Sequence, residues 1–315
     1  MPLVTTEKMF KKAYDGGFAI GAFNVNNMEI LQAVVAACED ENAPVILQIS
    51  KGARKYAHID YLKAMIDVAE KQTNLPIAVH CDHGDTLDLI EKCIADGYTS
   101  VMIDASHKPY EENIALTKTV TDYAHQHHVV VEAELGMLGG IEEDVVGVDP
   151  DEIDKFLTDP EEAEDFVKKT HCDSLAVACG TSHGAFKFKT EPKLALHLIE
   201  DIAKRLPGFP LVMHGSSSVP SRLVDLINKH GGNMPNTMGV PDKAVKEVVQ
   251  RAVCKVNIDT DLRLAMTATI REVFAENPKE FDPRNYLGPA REEIKQLVKR
   301  KLNVLGCAGK ADLCR

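Results

Sequence analysis

Eight short apolar runs, each followed by an amphipathic helical segment, predict an α/β fold: a (β/α)8 TIM barrel with additional C-terminal helices. Most of the runs are apolar throughout rather than alternating, the pattern of parallel strands covered on both faces. No Gly-x-Gly-x-x-Gly follows the first run, so an open dinucleotide-binding sheet is the weaker alternative. At 315 residues the chain can bury a sizeable core, and no composition shift marks a boundary, so residues 1–315 are read as a single domain.

Phe18 to Phe23 is the first strand, and Ile30 to Cys38 the first helix, with Ile30, Leu31, Val34, Val35 and Cys38 on one face. Pro44 to Ile49 is the second strand, followed by a helix over Tyr61 to Glu70. Ile77 to Val79 opens the third strand, and Leu87 to Ala95 is the helix behind it. Ser100 to Asp104 and Glu111 to Gln126 form the fourth pair. Val129 to Leu135 is the fifth strand. The glycine- and acid-rich stretch Gly136 to Asp154 then breaks the rhythm, and loops of that length in compact domains are usually functional. A helix over Glu161 to Lys169, a strand over Ser174 to Cys179 and a helix over Lys193 to Arg205 follow. Phe209 to Met213 and Ser221 to Lys229 form the seventh pair, with a second loop over Gly231 to Pro241. A helix over Asp242 to Ala252 leads into the eighth strand, Cys254 to Ile258, and helices run over Leu262 to Ala275 and Pro289 to Val304.

Lysines and arginines total 36 against 48 aspartates and glutamates, a formal net charge of −12 that argues against non-specific nucleic-acid binding. Local groups can still hold an anionic small molecule. No apolar run is long enough to span a bilayer, and the first residues lack a basic stretch followed by an apolar one. Neither a membrane anchor nor a signal peptide is therefore expected. The eight cysteines include no Cys-x-x-Cys pair and are read as reduced, in a cytoplasmic protein.

In a barrel of this kind the site lies at the C-terminal ends of the strands. Those ends are Asn24, Ser50, Asp82-His83, Asp104 with Ser106, Glu132 with Glu134, Gly180-Thr-Ser-His-Gly184, His214-Gly-Ser-Ser-Ser218 and Asn257-Ile-Asp-Thr-Asp261. Helix caps would explain one or two polar ends, not all eight. Ile77 to Asp85 sets both readings side by side. An acid beside an imidazole at a buried strand end suits metal-assisted proton transfer, whereas Asp82 or Asp85 could instead cap a helix from Thr86. Gly84 can take a backbone conformation that other residues resist. Histidines at three strand ends, His83, His183 and His214, suit a catalytic Zn²⁺ with one position open to substrate, and such donors argue against Mg²⁺. His80 and His107 flank the site and are read as structural, and His125, His127 and His128 as surface or capping groups. The glycines and serines after strands six and seven, with Asn257 to Thr260, offer donors to a phosphate. Ser216 to Ser218 also fit a cap ahead of Ser221.

Taken together, several of these motifs resemble the class II (zinc-dependent) fructose-bisphosphate aldolase family. They are Asn24-Val-Asn-Asn27, Cys-Asp-His-Gly at 81–84, Glu-Ala-Glu-Leu-Gly at 132–136, Gly-Thr-Ser-His-Gly at 180–184, His-Gly-Ser-Ser at 214–217 and Asn-Ile-Asp-Thr-Asp at 257–261. The resemblance covers nearly the whole chain. It implies a lyase of glycolysis and gluconeogenesis that reversibly cleaves fructose 1,6-bisphosphate to dihydroxyacetone phosphate and glyceraldehyde 3-phosphate. It implies His83, His183 and His214 as zinc ligands, and Asp104 and Glu134 as ligands of a second or alternative divalent ion. A monovalent cation, Na⁺ or K⁺, is expected near the phosphate. Asp82 would be the proton donor and acceptor at the substrate's C4 hydroxyl, and Glu143 or Glu142 the acid that moves the enediolate proton. Gly184, Gly215, Ser216, Ser217, Asn257, Ile258, Asp259 and Thr260 would hold the dihydroxyacetone phosphate portion, with Asn24 and Ser50 lining the pocket. Arg263 resembles a binder of the second phosphate, as does Arg284, which in relatives reaches across from a neighbouring subunit of a homodimer or homotetramer. Arg284 fits a surface ion pair as well.

The implied chemistry suits the residue types, because a metal that polarises the ketone replaces the lysine Schiff base of other aldolases. Asp259 stands where tagatose-specific relatives carry a small residue, which favours fructose 1,6-bisphosphate over tagatose 1,6-bisphosphate. A non-catalytic barrel that binds sugar phosphates is the remaining reading. It would need neither Asp82 nor the three histidines.

Overall fold

The computed structural model describes residues 3–142, 145–146, 155–185, 192 and 194–315. The first half contains α1 (Thr6–Gly16), β1 (Ile20–Asn24), α2 (Met28–Asp40), β2 (Val45–Ser50), α3 (Lys51–Ala57), α4 (Ile59–Gln72), β3 (Ile77–Gly84) and α5 (Leu87–Ala95). Next come β4 (Ser100–Ile103), α6 (Tyr110–Gln126), β5 (Val130–Leu135), β6 (Gly139–Glu142), β7 (Val145–Val146), α7 (Pro160–Thr170), β8 (Ser174–Val177) and β9 (Ser182–His183). The chain continues with α8 (Leu196–Arg205), β10 (Leu211–Met213), α9 (Ser221–Lys229), α10 (Asp242–Val249), β11 (Val253–Ile258), α11 (Thr260–Glu276) and α12 (Pro283–Leu305).

Strands β1, β11, β10, β8, β5, β4, β3 and β2, in that order, close into a parallel barrel, as expected of a (β/α)8 fold. The ring closes where β1 pairs with β11, Ile20 opposite Lys255. Every residue of these strands is buried except His83, which is half-buried. Outward residues such as Leu47, Ile49 and Val131 join one continuous apolar core. Period-two alternation leaves Gln48, His80, Asp82, Glu132, Glu134, Lys255 and Asn257 as buried polar residues of the same strands. At the N-terminal end, Val4 N–H bonds Ile77 O at 2.9 Å and Thr6 Oγ1 bonds Ser100 Oγ at 3.4 Å. The lead into α1 is therefore tied to the starts of β3 and β4.

The helices form where spacing and caps direct them. In α2, Asn27 accepts from Ile30 N, and Ile30, Leu31, Val34, Val35 and Cys38 are buried, as their spacing predicts. Four boundaries differ from expectation. Thr86, not Asp82 or Asp85, caps α5, accepting from Leu89 N, and Asp85 pairs with Lys51 at 2.8 Å instead. No side chain caps α9, which follows Pro220, so Ser216 to Ser218 are not its cap. Helix α12 starts at Pro283 with Asp282 as cap, and Pro289 lies inside it rather than at its head. The stretch after β5 is not plain loop: β6 pairs antiparallel with β7 and parallel with β9, Gly140 opposite His183.

Candidate active site

The site begins with an irregularity at the end of β3. The register of β3 against β4 shifts between Cys81 and Gly84, and His83 takes φ 48°, a left-handed conformation uncommon for any residue but glycine. The unusual backbone thus falls on His83 rather than on Gly84. Gly84 is needed for a different reason: a Cβ there would meet Met102 O at 2.6 Å. The kink turns Asp82 and His83 into the mouth of the barrel together.

Asp82 is 4% exposed and gripped by two amides. Asn24 Nδ2 donates to Oδ2 at 2.7 Å and Asn257 Nδ2 to Oδ1 at 3.2 Å. Asn24 is itself fixed, its Oδ1 accepting from Gln48 Nε2 at 2.6 Å. Burial pushes the Asp82 carboxyl up, but His83, His214, Lys255 and the Asn24 hydrogen bond outweigh it and hold it below the usual range. Asp82 is therefore an ionised base with fixed orientation.

Beside it the three histidine rings converge. His83 and His214 have centroids 4.7 Å apart, and His183 lies 5.2 Å from His83 and 6.4 Å from His214. His83 Nδ1 donates to Asp104 Oδ2 at 2.9 Å, and His214 Nε2 donates to Glu132 Oε1 at 2.8 Å. Each ring thus turns its other nitrogen to the partner, His83 Nε2 and His214 Nδ1, 3.0 Å apart. Two lone pairs at that separation need a positive charge between them, a proton or a metal ion. Burial works against a charged His83, but Asp82, Asp104 and Glu134 prevail and raise it to about 10. Burial lowers His214 to about 4, with Glu132 opposing and His83 and Lys255 assisting.

Among the described residues, two groups of donor atoms lie within 4.8 Å: Asp82, His83 and His214, and His83, Asp104 and Glu134. Neither includes His183. Glu134 Oε2 stands 3.9 Å from His83 Nδ1 and, like Asn257 Oδ1, is buried without a hydrogen-bond partner among the described residues. Unmet buried oxygens beside facing imidazole nitrogens are a donor set that fits a divalent cation, and the imidazoles suit zinc.

A small cavity next to Asp82 is lined by Asn24, Gly215, Ser216, Ser217, Asn257, Asp259 and Thr260. Gly215 has φ 62°, and a Cβ there would meet Ser182 O at 2.7 Å, so the loop after β10 can lie directly on β9. Arg263 binds Asp259 through Nε–Oδ1 at 2.9 Å and Nη2–Oδ2 at 2.5 Å. Ser50, opposite Asp82 in register, caps α3 by accepting from Ala53 N. Gly184, Ile258, Ser50, Arg263 and Arg284 do not line this cavity. Arg284 is 89% exposed and paired with Asp282 at 2.6 Å, the surface ion pair that its sequence also allowed. Glu143 lies outside the described residues, and Glu142 is placed only by its backbone pairing with Val145.

The family model described as fructose-bisphosphate aldolase class-II matches residues 4–310. The chain belongs to that family. A fructose-bisphosphate aldolase from Giardia intestinalis is 50% identical over 314 residues, covering 99% of this chain and 95% of that one. One from Treponema pallidum is 49% identical over 329 residues, covering 98% of each chain. The crystal structure of the YdjI aldolase from Escherichia coli K12 is 27% identical with a TM-score of 0.78, covering 98% of this chain and all 100% of that one.

Beneath the histidines, this class II aldolase carries a polar layer of Lys255, Glu132, His80 and Ser100. Lys255 Nζ donates to Glu132 Oε2 at 2.8 Å and Oε1 at 3.0 Å, and contacts His80 Nε2 at 3.2 Å. His80 Nδ1 meets Ser100 Oγ at 2.8 Å. Burial, then the Lys255 charge, lowers His80 to about 3, so it is neutral and structural, as expected of it. The signal for this layer is a lysine inside the apolar run Val253 to Ile258, since a charge buried in a strand requires a partner.

Proposed function

We propose that the protein is a zinc-dependent aldolase that reversibly cleaves D-fructose 1,6-bisphosphate into dihydroxyacetone phosphate and D-glyceraldehyde 3-phosphate, with residues 1–315 acting as one domain. The observation that carries this reading is Asp82, an ionised carboxylate fixed by Asn24 and Asn257 beside the facing nitrogens of His83 and His214. Those histidines and His183 would hold the zinc, which when bound supplies Lewis-acid polarisation of the substrate ketone. Asp82 takes the C4 hydroxyl proton on cleavage and returns it on condensation. Glu143 or Glu142 moves the proton on the dihydroxyacetone phosphate portion. Gly215 to Ser217 and Asn257 to Thr260 hold its phosphate, where a monovalent cation would also sit. Asp104 and Glu134 receive a second divalent ion. Asp259, buried and held by Arg263, favours the fructose epimer. Exposed Arg284 is open to a second copy of the chain in a dimer or tetramer. A cytoplasmic setting accords with eight buried, unpaired cysteines and with the lack, among the described residues, of a helix able to cross a membrane.

The test is a coupled cleavage assay on fructose and tagatose 1,6-bisphosphates, before and after chelation and zinc return. Activity on the fructose substrate should vanish with chelation and return with zinc, and borohydride should trap no covalent adduct. Full activity after metal removal would sink the reading, and a higher specificity constant for the tagatose epimer would reassign the substrate. Asp82→Ala should keep zinc while turnover falls by about 10²–10⁴-fold.

A further inference from the structure

Behind the loop that follows β10 lies a buried charged cluster built on Asp261 and Lys301, neither of which is assigned above to metal or substrate. Asp261, fully buried on α11, accepts three hydrogen bonds from that loop: Ser218 N at 2.9 Å, Ser218 Oγ at 3.0 Å and Val219 N at 2.8 Å. Lys301 on α12 is 3% exposed and completes the cluster. Its Nζ donates to Ser218 Oγ at 2.6 Å and to Asp242 Oδ1 on α10 at 2.8 Å, and stands 3.1 Å from Asp261 Oδ2. Two oxygens thus accept from the ammonium and a third lies within ion-pair distance of it. The segment they hold is strained. Val219 has φ 48°, a conformation that a β-branched residue keeps only where its surroundings impose it. The same loop carries Gly215 to Ser217 just upstream, and Ser217 O is pinned from the other side by Val240 N at 3.1 Å.

We propose that Lys301, acting through Asp261 and Ser218, is a positioning residue that holds the β10 loop in the strained conformation in which Gly215 to Ser217 face a substrate phosphate. The proposal rests on the reading of that loop as a phosphate binder. Lys301 has a second effect through charge. The carboxylate that grips the loop is itself negative, and the ammonium beside it keeps that charge from opposing a phosphate dianion. A lysine from the last long helix, far from the strand ends in sequence, thereby tunes substrate binding without touching substrate.

The test compares the zinc-loaded wild type with Lys301→Met, Ser218→Ala and the double variant Lys301→Met with Val219→Gly. Steady-state cleavage of fructose 1,6-bisphosphate and calorimetric binding of inorganic phosphate are measured for each. Lys301→Met should raise KM and weaken phosphate binding by about tenfold, the worth of one charge-assisted hydrogen bond, with kcat nearly unchanged. Adding Val219→Gly should recover most of the KM, because glycine takes a positive φ without being held there. A mere packing role would lower the melting temperature with KM and phosphate affinity unchanged, and that result overturns the proposal. So does a raised KM that Val219→Gly leaves unimproved. Should Lys301→Met fail to fold, Ser218→Ala decides: a KM raised by about threefold supports the proposal and an unchanged KM overturns it. A wild type that neither cleaves the substrate nor binds inorganic phosphate would instead remove the phosphate reading itself.

Discussion

Glu132 and Glu134 stand two residues apart on β5, so both turn to the interior of the barrel, and both are almost fully buried. Their neighbours make them opposites. Glu132 meets Lys255, which comes from across the barrel on β11, and His214. Burial opposes its charge, but Lys255 and His214 hold its carboxyl well below the usual range. Glu134 has Asp104 nearby and one oxygen without a hydrogen-bond partner among the described residues. Burial, reinforced by the Asp104 charge, pushes its carboxyl well above the usual range. The charge on a buried carboxylate is thus set by what other strands bring to it. The lower layer is a compensated pair that belongs to the fold, while the upper layer leaves a demand for positive charge that a cation can meet.

The largest effect should come from breaking the compensated pair. Lys255→Met or Glu132→Ala should lower stability by about 3–5 kcal/mol, read from urea unfolding, because each leaves an unpaired buried charge. A midpoint equal to wild type would mean that the pair does not anchor the barrel. Next, Glu132→Gln should weaken zinc binding by about 10–100-fold, measured against a competing chelator, since Glu132 orients His214. An unchanged affinity would erase the functional side of the contrast.

The two carboxylates should also tilt the stability of the metal-free protein with pH in opposite senses. The folded pKa of Glu132 lies below the ordinary 4.5, so its contribution is complete above that value and is lost as pH falls. The folded pKa of Glu134 lies above 4.5, so its contribution is complete below that value and is lost as pH rises. Urea midpoints across this range for Glu132→Gln and Glu134→Gln, each against wild type, should diverge with opposite sign; parallel curves would refute the contrast. The smallest effect is that of Glu134→Gln below about pH 4.5, where the wild-type carboxyl is neutral whether folded or unfolded, within about 1 kcal/mol of wild type without metal.

All eight barrel strands were legible because each is an apolar run that stops at a polar group, and that punctuation also named Asp82, His83 and His214. Lys255 carried a signal, a charge inside an apolar run, but its partner Glu132 is 123 positions away and only closure of the barrel joins them. Helix α3 was invisible because it starts directly after Ser50 and buries only Ala53, too little for a periodic pattern. Strands β7 and β9, at two residues each, are too short to carry any pattern. The left-handed turn at His83 had no signal either, since the neighbouring Gly84 was the obvious residue to bear it.

The pairing of β1 with β11 also constrains when the protein can be finished on the ribosome. Until Val253 to Ile258 has been made, β1 and β10 both end in rows of unpaired backbone groups. Such edges invite pairing with other chains. We expect nascent chains stopped before Val253 to bind chaperones and to be cut readily by protease, and chains extended past Leu305 to resist both. Equal protease resistance of the two lengths would show that the barrel does not wait for its last strand.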